Sequence, residues 1–213
     1  MKLPAFLDIR AVLKAPAIYN AFQSMVGAYA ARGEIIRKCI PLGERKRVLE
    51  VGCGPGTNLD VMPQGVSYVG CDLSASYVAY AQKKYAGRGI FIHAAVGELL
   101  ELGQNDFDYV LASGLLHHLD DTQVNVLCRE VSSVLRPGGR FIALEAIYCP
   151  EQSFLERHYM SLDRGEYIRH VEEYVALLQG TFPKIETSKY PGCFFTRHAG
   201  CIFLATKPGP ERA

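Results

Sequence analysis

The stretch Val48-Leu49-Glu50-Val51-Gly52-Cys53-Gly54-Pro55-Gly56-Thr57 decides the fold of this chain. A short apolar run ends at Val51 and predicts a buried β-strand, and the glycines that follow predict a tight loop. Glycine lets the backbone turn sharply and lets a ligand approach where a Cβ atom would clash. The residues after the loop predict a short helix, whose first N–H groups and positive dipole end favour a polar ligand.

An acid follows this loop at an informative distance. Asp72 ends the next predicted strand, twenty residues after Gly52. In doubly wound folds an acid at that position accepts hydrogen bonds from ribose hydroxyls. The loop reads G-x-G-x-G rather than the G-x-G-x-x-G of dinucleotide binders. Glu50 lies beside the loop, and its carboxylate suits a cationic ligand end better than a pyrophosphate.

Apolar runs of strand length alternate with stretches of helical periodicity along the chain. This alternation predicts βαβ units with right-handed crossovers and a parallel sheet covered by helices on both faces. The predicted strands are 47–51, 67–71, 90–92, 107–112, 140–144, 184–188 and 201–205. The predicted helices are one or two within 16–40, then 74–85, 122–135, 152–162 and 171–178.

Composition excludes several classes of protein. The 213 residues are 49% hydrophobic and 21% charged, as expected for an ordinary globular domain. The net charge of +1 comes without a basic run, which argues against a nucleic-acid partner. No apolar window approaches the roughly 20 residues of a membrane span, and the first residues do not resemble a signal peptide. We therefore expect a cytoplasmic protein without a membrane partner, of unknown oligomeric state.

The seven cysteines do not indicate a disulfide framework or a zinc site. Their number is odd, and none of them forms a C-x-x-C pair. The chain also lacks an H-x-x-x-H motif and a tight carboxylate cluster near the loop, so no metal is expected.

Several ordered motifs between residues 47 and 147 resemble those of class I S-adenosylmethionine (SAM)-dependent methyltransferases. The pattern Glu50-x-Gly52-x-Gly54-x-Gly56 is similar to the first motif of that family, and Asp72 to its ribose-binding acid. The segments that resemble its fourth strand, the residues after that strand, and the turn into its fifth strand are 108–112, 114–119 and 135–140.

This resemblance implies an α/β fold with a doubly wound, mostly parallel seven-stranded sheet. The strand order would be 3-2-1-4-5-7-6, with strand 7 antiparallel and helices on both faces. It implies SAM as the cofactor, with Gly52 and Gly54 against its methionine part, Asp72 on the ribose and Leu73 on the adenine. The expected cofactor-binding residues are Glu50, Gly52, Cys53, Gly54, Gly56, Thr57, Asp72, Leu73, Ala95, Val96, Ser113 and Gly114.

One departure from the family pattern concerns the adenine. The family often carries an acid after the third strand, near the adenine amino group, and Ala95 stands there in this chain. Backbone groups of Ala95 and Val96 would then have to reach the base.

The candidate catalytic residues are His117, His118 and Glu145. The two histidines follow the fourth strand, beside the expected cofactor sulfur, and either is a candidate general base. Alternatively, they shape the loop and cap backbone groups. Glu145 ends the fifth strand, at the edge where doubly wound folds bind ligands. It either anchors or deprotonates an acceptor, or it is a satisfied carboxylate in a polar crevice.

The candidate substrate-binding residues lie in two regions. Tyr19 and Tyr29 belong to an aromatic stripe of the N-terminal helices, which is either a lid contact or core. Arg164, Arg169 and Arg197 would form a cationic pocket for an anionic acceptor or, alternatively, a solvated basic surface. The expected division is a helical cap over 1–43, a methyltransferase domain over 44–207 with an acceptor lid within 150–180, and a tail over 208–213.

The resemblance implies transfer of the methyl group of SAM to a small-molecule acceptor through an oxygen, nitrogen, sulfur or carbon nucleophile. Gly114-Leu115-Leu116 occupies the place of the Asn/Asp-Pro-Pro-Tyr/Phe motif that base-nitrogen and protein-glutamine methylators carry. Two alternatives remain: a SAM-binding module without catalysis, and a nicotinamide-dependent oxidoreductase.

Overall fold

The computed structural model describes residues 28–41, 45–150, 152, 154, 157, 160, 166–190 and 200–209. The strands are β1 (Arg47–Val51), β2 (Ser67–Asp72), β3 (Ile90–His93), β4 (Phe107–Ser113), β5 (Leu135–Tyr148), β6 (Arg169–His170), β7 (Lys184–Tyr190) and β8 (Gly200–Thr206). The helices with eight or more described residues are α1 (Ala28–Cys39), α2 (Ala75–Lys84), α3 (Asp121–Val134) and α4 (Val171–Gln179).

The main sheet has the strand order β3-β2-β1-β4-β5-β8-β7. Strands β1 to β5 pair in parallel, whereas β8 runs antiparallel to both β5 and β7. The two-residue strand β6 pairs with the end of β5. If that short strand is left out of the numbering, this is the predicted order 3-2-1-4-5-7-6, so the predicted fold is confirmed.

Local sequence signals set the ends of the helices. Ser74 caps α2, because its hydroxyl accepts a hydrogen bond from the backbone N–H of Tyr77. At the start of α3, Asp120 and Gln123 form a reciprocal capping box. Within the described residues, no helix combines the length and the apolar character that crossing a membrane requires.

Apolar side chains cover both faces of the sheet. On one face, α3 and α4 pack on the side chains of β1, β4, β5 and β8, with Val110 and Phe141 fully buried there. On the other face lie Ile36 of α1 and Ile40 directly after this helix, both fully buried. The described part of the predicted N-terminal cap therefore lies against the sheet. The division into cap, domain, lid and tail stays a prediction.

The short helix predicted after the glycine loop is a four-residue 3₁₀ helix, Thr57–Asp60. One predicted element differs from the structure. Strand β5 begins at Leu135, although Arg136-Pro137-Gly138-Gly139 reads as a turn. The pairing of β4 with β5 shifts register between Phe107 and Tyr109, which accommodates these residues at the start of the strand.

A buried carboxylate ties the 3₁₀ helix to the sheet. Glu50 of β1 is only 1% exposed, and its two oxygens accept hydrogen bonds from the Asn58 side-chain amide and the Tyr68 hydroxyl. Burial raises the pKa of Glu50 to about 7, while these two hydrogen bonds act in the opposite direction. The loop that precedes Asn58 is thus anchored to both β1 and β2.

We expect this carboxylate to make stability depend on pH. Because the folded-state pKa lies above the usual 4.5, the unfolded chain releases its proton first, and stability falls as pH rises from about 4.5 to about 7. The contribution of this single group is on the order of 3 kcal/mol across that range. Glu50→Gln should flatten this part of the curve, measured by urea denaturation between pH 4.5 and 8.

The exposed Glu101→Gln is the matched control, because it removes the same charge from the surface. Parallel stability curves for wild type and Glu50→Gln over this pH range would contradict the expectation.

Candidate active site

The carboxyl ends of β1, β2, β3 and β4 meet at one edge of the sheet, and the predicted site residues follow these ends. The main-chain N–H groups of Gly52 and Cys53 both donate to the carbonyl of Cys71, at 2.9 and 3.0 Å. This pairing folds the start of the glycine loop over the end of β2. The loop after β1 and the residues after β2 therefore lie side by side at this edge and form the surface that is called the cleft wall below.

Two positions of the loop require glycine for different physical reasons. Gly56 has a φ of 77°, and a Cβ atom there would come within 2.6 Å of the Phe91 ring, so the fold itself requires it. Gly54 has a φ of 53°, but a Cβ atom there would meet nothing within 4 Å. The space beside Gly54 is open, and a ligand can approach the backbone there.

Asp72 joins the two halves of this wall. Its carboxylate accepts a hydrogen bond from the N–H of Gly54 and another from the N–H of Ser74, both at 2.8 Å. The side chain is only partly buried. A carboxylate has about four acceptor positions, so Asp72 keeps capacity for hydroxyl groups of a ligand.

An exposed apolar side chain, Leu73, directly follows Asp72. Leu73 is 72% exposed, which is unusual for leucine at a strand end. His93 donates from Nε2 to the Leu73 carbonyl at 2.9 Å, and the N–H of Ala94 donates to the Asp72 carbonyl at 3.2 Å. These bonds place the end of β3 beside Asp72 and Leu73, and Ala95 and Val96 follow directly in the sequence.

Three predicted cofactor residues in or next to the loop have buried side chains. Glu50, Cys53 and Thr57 are buried, at 1%, 5% and 6% exposure. Both oxygens of Glu50 are bound within the protein, so its side chain supports the loop instead of facing the cleft as expected. Burial raises the pKa of the Cys53 thiol, which therefore stays protonated and unreactive.

Glu145 holds the turn that follows β4. It is fully buried, and its oxygens accept from the N–H groups of Leu115 and Leu116 at 2.9 and 2.8 Å. The His117 ring donates from Nδ1 to Glu145 at 2.7 Å. Of the two predicted roles, the geometry matches the satisfied carboxylate, which orients His117 and its turn.

The two histidines differ in exposure. His117 is buried, whereas His118 is exposed, and their ring centroids are 4.3 Å apart. A Cβ atom on Gly114 would be 3.5 Å from Cε1 of His117, so the buried ring lies over the end of β4. The preceding Ser113 is half-buried, and the N–H of Gly114 donates to the Leu144 carbonyl at 2.8 Å.

Arg169 does not form the expected cationic pocket. Arg169 is 8% exposed, and its guanidinium donates to the carbonyls of Leu116 and Leu119 at 3.2 and 2.8 Å. It also binds the Asp121 carboxylate at 2.7 Å and contacts the Tyr167 carbonyl at 2.9 Å. This corrects the prediction. The N–H groups of Arg169 donate to acceptors within the protein, and Arg169 therefore stabilises residues 115–119, the histidine turn.

Four other predicted substrate contacts are not located. Tyr19, Arg164 and Arg197 lie outside the described residues, and Tyr29 is described only as part of the α1 backbone. Their role in acceptor binding stays a prediction. Among the described residues, no group of three or more histidine, cysteine or acidic side chains is arranged to hold a metal ion.

Sequence reasoning missed one acid of this edge. Glu130 of α3 is 6% exposed and accepts from the N–H groups of Gly97 and Leu99 at 2.7 and 2.9 Å. It fixes the turn after β3. A signal was present, since Glu130 interrupts the apolar face of the predicted helix, where a charge needs a partner.

These observations fit the parts of SAM. The Asp72 carboxylate suits ribose hydroxyls, the exposed Leu73 suits an apolar base face, and the open space at Gly54 suits an extended chain beyond the ribose. The fit of SAM is inferred from the chemistry of Asp72 and Leu73 and from the open space beside Gly54.

Comparison with known proteins agrees with this geometry. Residues 48–139 match a family model described as a methyltransferase domain. The chain is 26% identical to a ubiquinone/menaquinone biosynthesis C-methyltransferase of Desulfotalea psychrophila, over 89% of this chain and 84% of that protein. It is 31% identical to a fatty-acid O-methyltransferase of Mycolicibacterium smegmatis, over 48% of this chain and 38% of that protein.

A solved structure shares the fold. Human N-acetylserotonin methyltransferase in complex with SAM superposes with a TM-score of 0.70 at 16% identity, covering 97% of this chain and 60% of that chain. The match thus spans 38% of the fatty-acid O-methyltransferase and 60% of the N-acetylserotonin methyltransferase, and only part of the length of these relatives is represented in this chain. The glycine loop, the acid after β2, the strand order and the matched family model agree: residues 48–139 form a methyltransferase domain, and the sheet that contains them has the fold of the class I SAM-dependent methyltransferases.

Proposed function

We propose that this chain transfers the methyl group of SAM to a small-molecule acceptor and releases S-adenosylhomocysteine. The observation that carries the proposal is the cleft wall formed by Gly54, Asp72 and Leu73, with open space beside the loop. SAM bound there supplies an activated methyl group. The protein then has to hold an acceptor in line with it and exclude water, which can lower the barrier by about 7–11 kcal/mol in favourable cases.

The names of the relatives support a small acceptor. They are a quinone-biosynthesis C-methyltransferase, a fatty-acid O-methyltransferase and an N-acetylserotonin methyltransferase. These names share an acceptor with apolar parts and differ in the atom methylated. The near-neutral charge of the chain also argues against a polyanionic acceptor.

The histidine turn is the part of the site suited to handle the acceptor's proton. Glu145 and Arg169 hold its backbone from two sides, so its position is fixed before any acceptor binds. His118 is exposed, whereas His117 is buried and its Nδ1 is hydrogen-bonded to the Glu145 carboxylate. An acceptor that must lose a proton would therefore lose it to His118, with His117 as a positioning residue.

The first test is cofactor binding at the glycine loop. Gly54→Ala should weaken binding of SAM and S-adenosylhomocysteine by about tenfold or more, because the methyl group fills the open space beside the loop. Isothermal titration calorimetry measures this effect. Wild-type protein that binds neither ligand would contradict the proposed function.

The matched control is Gly87→Ala. Gly87 also has a positive φ, 75°, and also has nothing within 4 Å of its Cβ position, but it lies outside the loop. Both variants should lose about 1–2 kcal/mol of stability from backbone strain. Only the loop variant should lose affinity, and equal affinity losses would contradict the role of the loop.

The second test is transfer of labelled methyl. The chain is incubated with methyl-labelled SAM and separate pools of quinols, fatty acids and hydroxylated or amino-substituted aromatic compounds. Label should appear in one of these pools in the presence of the protein. Binding of SAM without transfer to any of them would favour a SAM-binding module instead.

Once an acceptor is identified, His118→Asn should lower the rate of methyl transfer by about 10²–10⁴-fold when the accepting atom carries a proton. Its urea denaturation curve should shift less than that of a His117 variant, because the His118 side chain is exposed. His117→Asn should instead lose about 1–3 kcal/mol of stability, because a buried hydrogen bond to Glu145 is lost. A full rate in His118→Asn would rule that residue out as the base.

A further inference from the structure

A cavity opens at the edge of the sheet opposite the cofactor site. Its volume is about 350 Å³, within the range of small-molecule pockets, roughly 300–1,000 Å³. The end of α1 and the first halves of β4 and β5 border it, so it lies toward the amino ends of the parallel strands. The residues that line it include Lys38, Cys39, Asp108, Tyr109, Arg136 and Arg140.

Positive charge dominates the lining of this cavity. Three of these side chains are cations, Lys38, Arg136 and Arg140, and one is an acid, Asp108. Asp108 is 7% exposed, and both of its oxygens are bound within the protein. Its Oδ2 accepts from the N–H of Arg47 at 2.8 Å, and its Oδ1 binds the Arg136 guanidinium at 2.7 Å. Asp108 therefore holds Arg136 at the cavity and offsets only one of the three cations.

Two neighbouring side chains offer donors that no protein acceptor uses. Tyr109 and Arg140 are paired in the register of β4 with β5, so their side chains lie side by side on one face of the sheet. Among the residues that the structure describes, no hydrogen bond or ion pair engages the Tyr109 hydroxyl or the Arg140 guanidinium. Lys38, by contrast, binds Glu34 at 2.7 Å along the exposed side of α1.

The sheet fixes these donors in place. Tyr109 is half-buried and packs on the apolar cluster that contains Ile142. A phenol in that position normally has a hydrogen-bond partner for its hydroxyl. The charge of Arg140 also reaches Glu186 of β7, but that carboxylate is bound to Lys184 at 3.0 Å. A ligand that accepts from both donors would thus meet groups that are already positioned, which reduces the entropy cost of binding.

We propose that this cavity binds a compact anion that carries two or more negatively charged oxygens. Arg140 and Arg136 are its ion-pair partners, and the Tyr109 hydroxyl is a neutral donor. A guanidinium has five N–H groups in a planar fork, so Arg136 keeps donors for the ligand while it binds Asp108. Phosphate groups and clustered carboxylates share this chemistry. The ligand would be additional to SAM and to the methyl acceptor.

The experiment titrates wild type with pyrophosphate and, separately, with citrate by isothermal titration calorimetry. An ionic strength of about 0.15 M screens charges that are more than roughly 8 Å apart. At least one of the two probes should bind at one site per chain, and the probe that binds more tightly distinguishes a phosphate ligand from a carboxylate ligand. Absence of binding by both probes would overturn the proposal.

A second titration, in the presence of S-adenosylhomocysteine, locates the bound anion. Its affinity should not change, because the cavity and the glycine loop lie at opposite edges of the sheet. Competition between the two would place the anion in the cofactor cleft and overturn the proposal. The titrations without S-adenosylhomocysteine need neither cofactor nor acceptor, so their outcome does not depend on the proposed function.

Two variants test the named donors. Arg140→Gln should weaken binding of the anion by about tenfold or more, because a charged hydrogen-bond donor is lost. Tyr109→Phe should weaken it by about two- to tenfold and should leave the fold intact, because the hydroxyl has no partner among the described residues.

Arg129→Gln is the matched control. Arg129 is an exposed arginine of α3, which packs on the other face of the sheet, and it does not line the cavity. Its variant should bind the anion as wild type does. Equal losses in Arg140→Gln and Arg129→Gln would show attraction by overall charge alone and would overturn the site.

Discussion

The loops at the carboxyl edge of the sheet contain backbone N–H groups that do not pair with a neighbouring strand. Acidic side chains from neighbouring elements accept hydrogen bonds from these groups. An unpaired buried N–H costs about as much as a lost hydrogen bond, so these loops could not keep their shape without such acceptors. The acids and the N–H groups that they accept are Asp72 with Gly54 and Ser74, Glu130 with Gly97 and Leu99, and Glu145 with Leu115, Leu116 and His117.

The same acids set the electrostatic character of the cleft. Each uses its carboxylate to fix backbone, and Asp72 remains partly open to the cleft while doing so. A cleft wall built on carboxylates favours a cationic ligand, such as one with an amino group and a sulfonium centre, and opposes a pyrophosphate. Loop structure and ligand preference therefore share one physical origin. This is why a variant of one of these acids can change both the shape of the loop and the charge of the cleft.

The sequence predicted elements formed by local patterns and missed contacts between distant residues. Apolar runs located the strands to within a residue or two at most ends, and Ser74 marked the start of α2 because its cap bond is local. By contrast, Glu145 meets Leu115 across 30 positions. Arg169 meets Leu119 across 50. Nothing in the spacing of such residues signals the contact. The sequence therefore predicted that Arg169 is a surface cation, and it did not decide whether Glu145 binds an acceptor or is bound within the protein.

The central position of β8 has a consequence for the growing chain. Strand β5 supplies the fully buried Phe141, Ile142 and Ala143, and it is flanked by β4 on one side and by β8 on the other. About 50 residues separate the end of β5 from the beginning of β8. During synthesis on the ribosome, β5 is therefore an apolar sheet edge without its second neighbour until β8 emerges. Exposed edges of this kind pair readily with other chains, so this interval is when the nascent protein is most prone to aggregate and most in need of a chaperone.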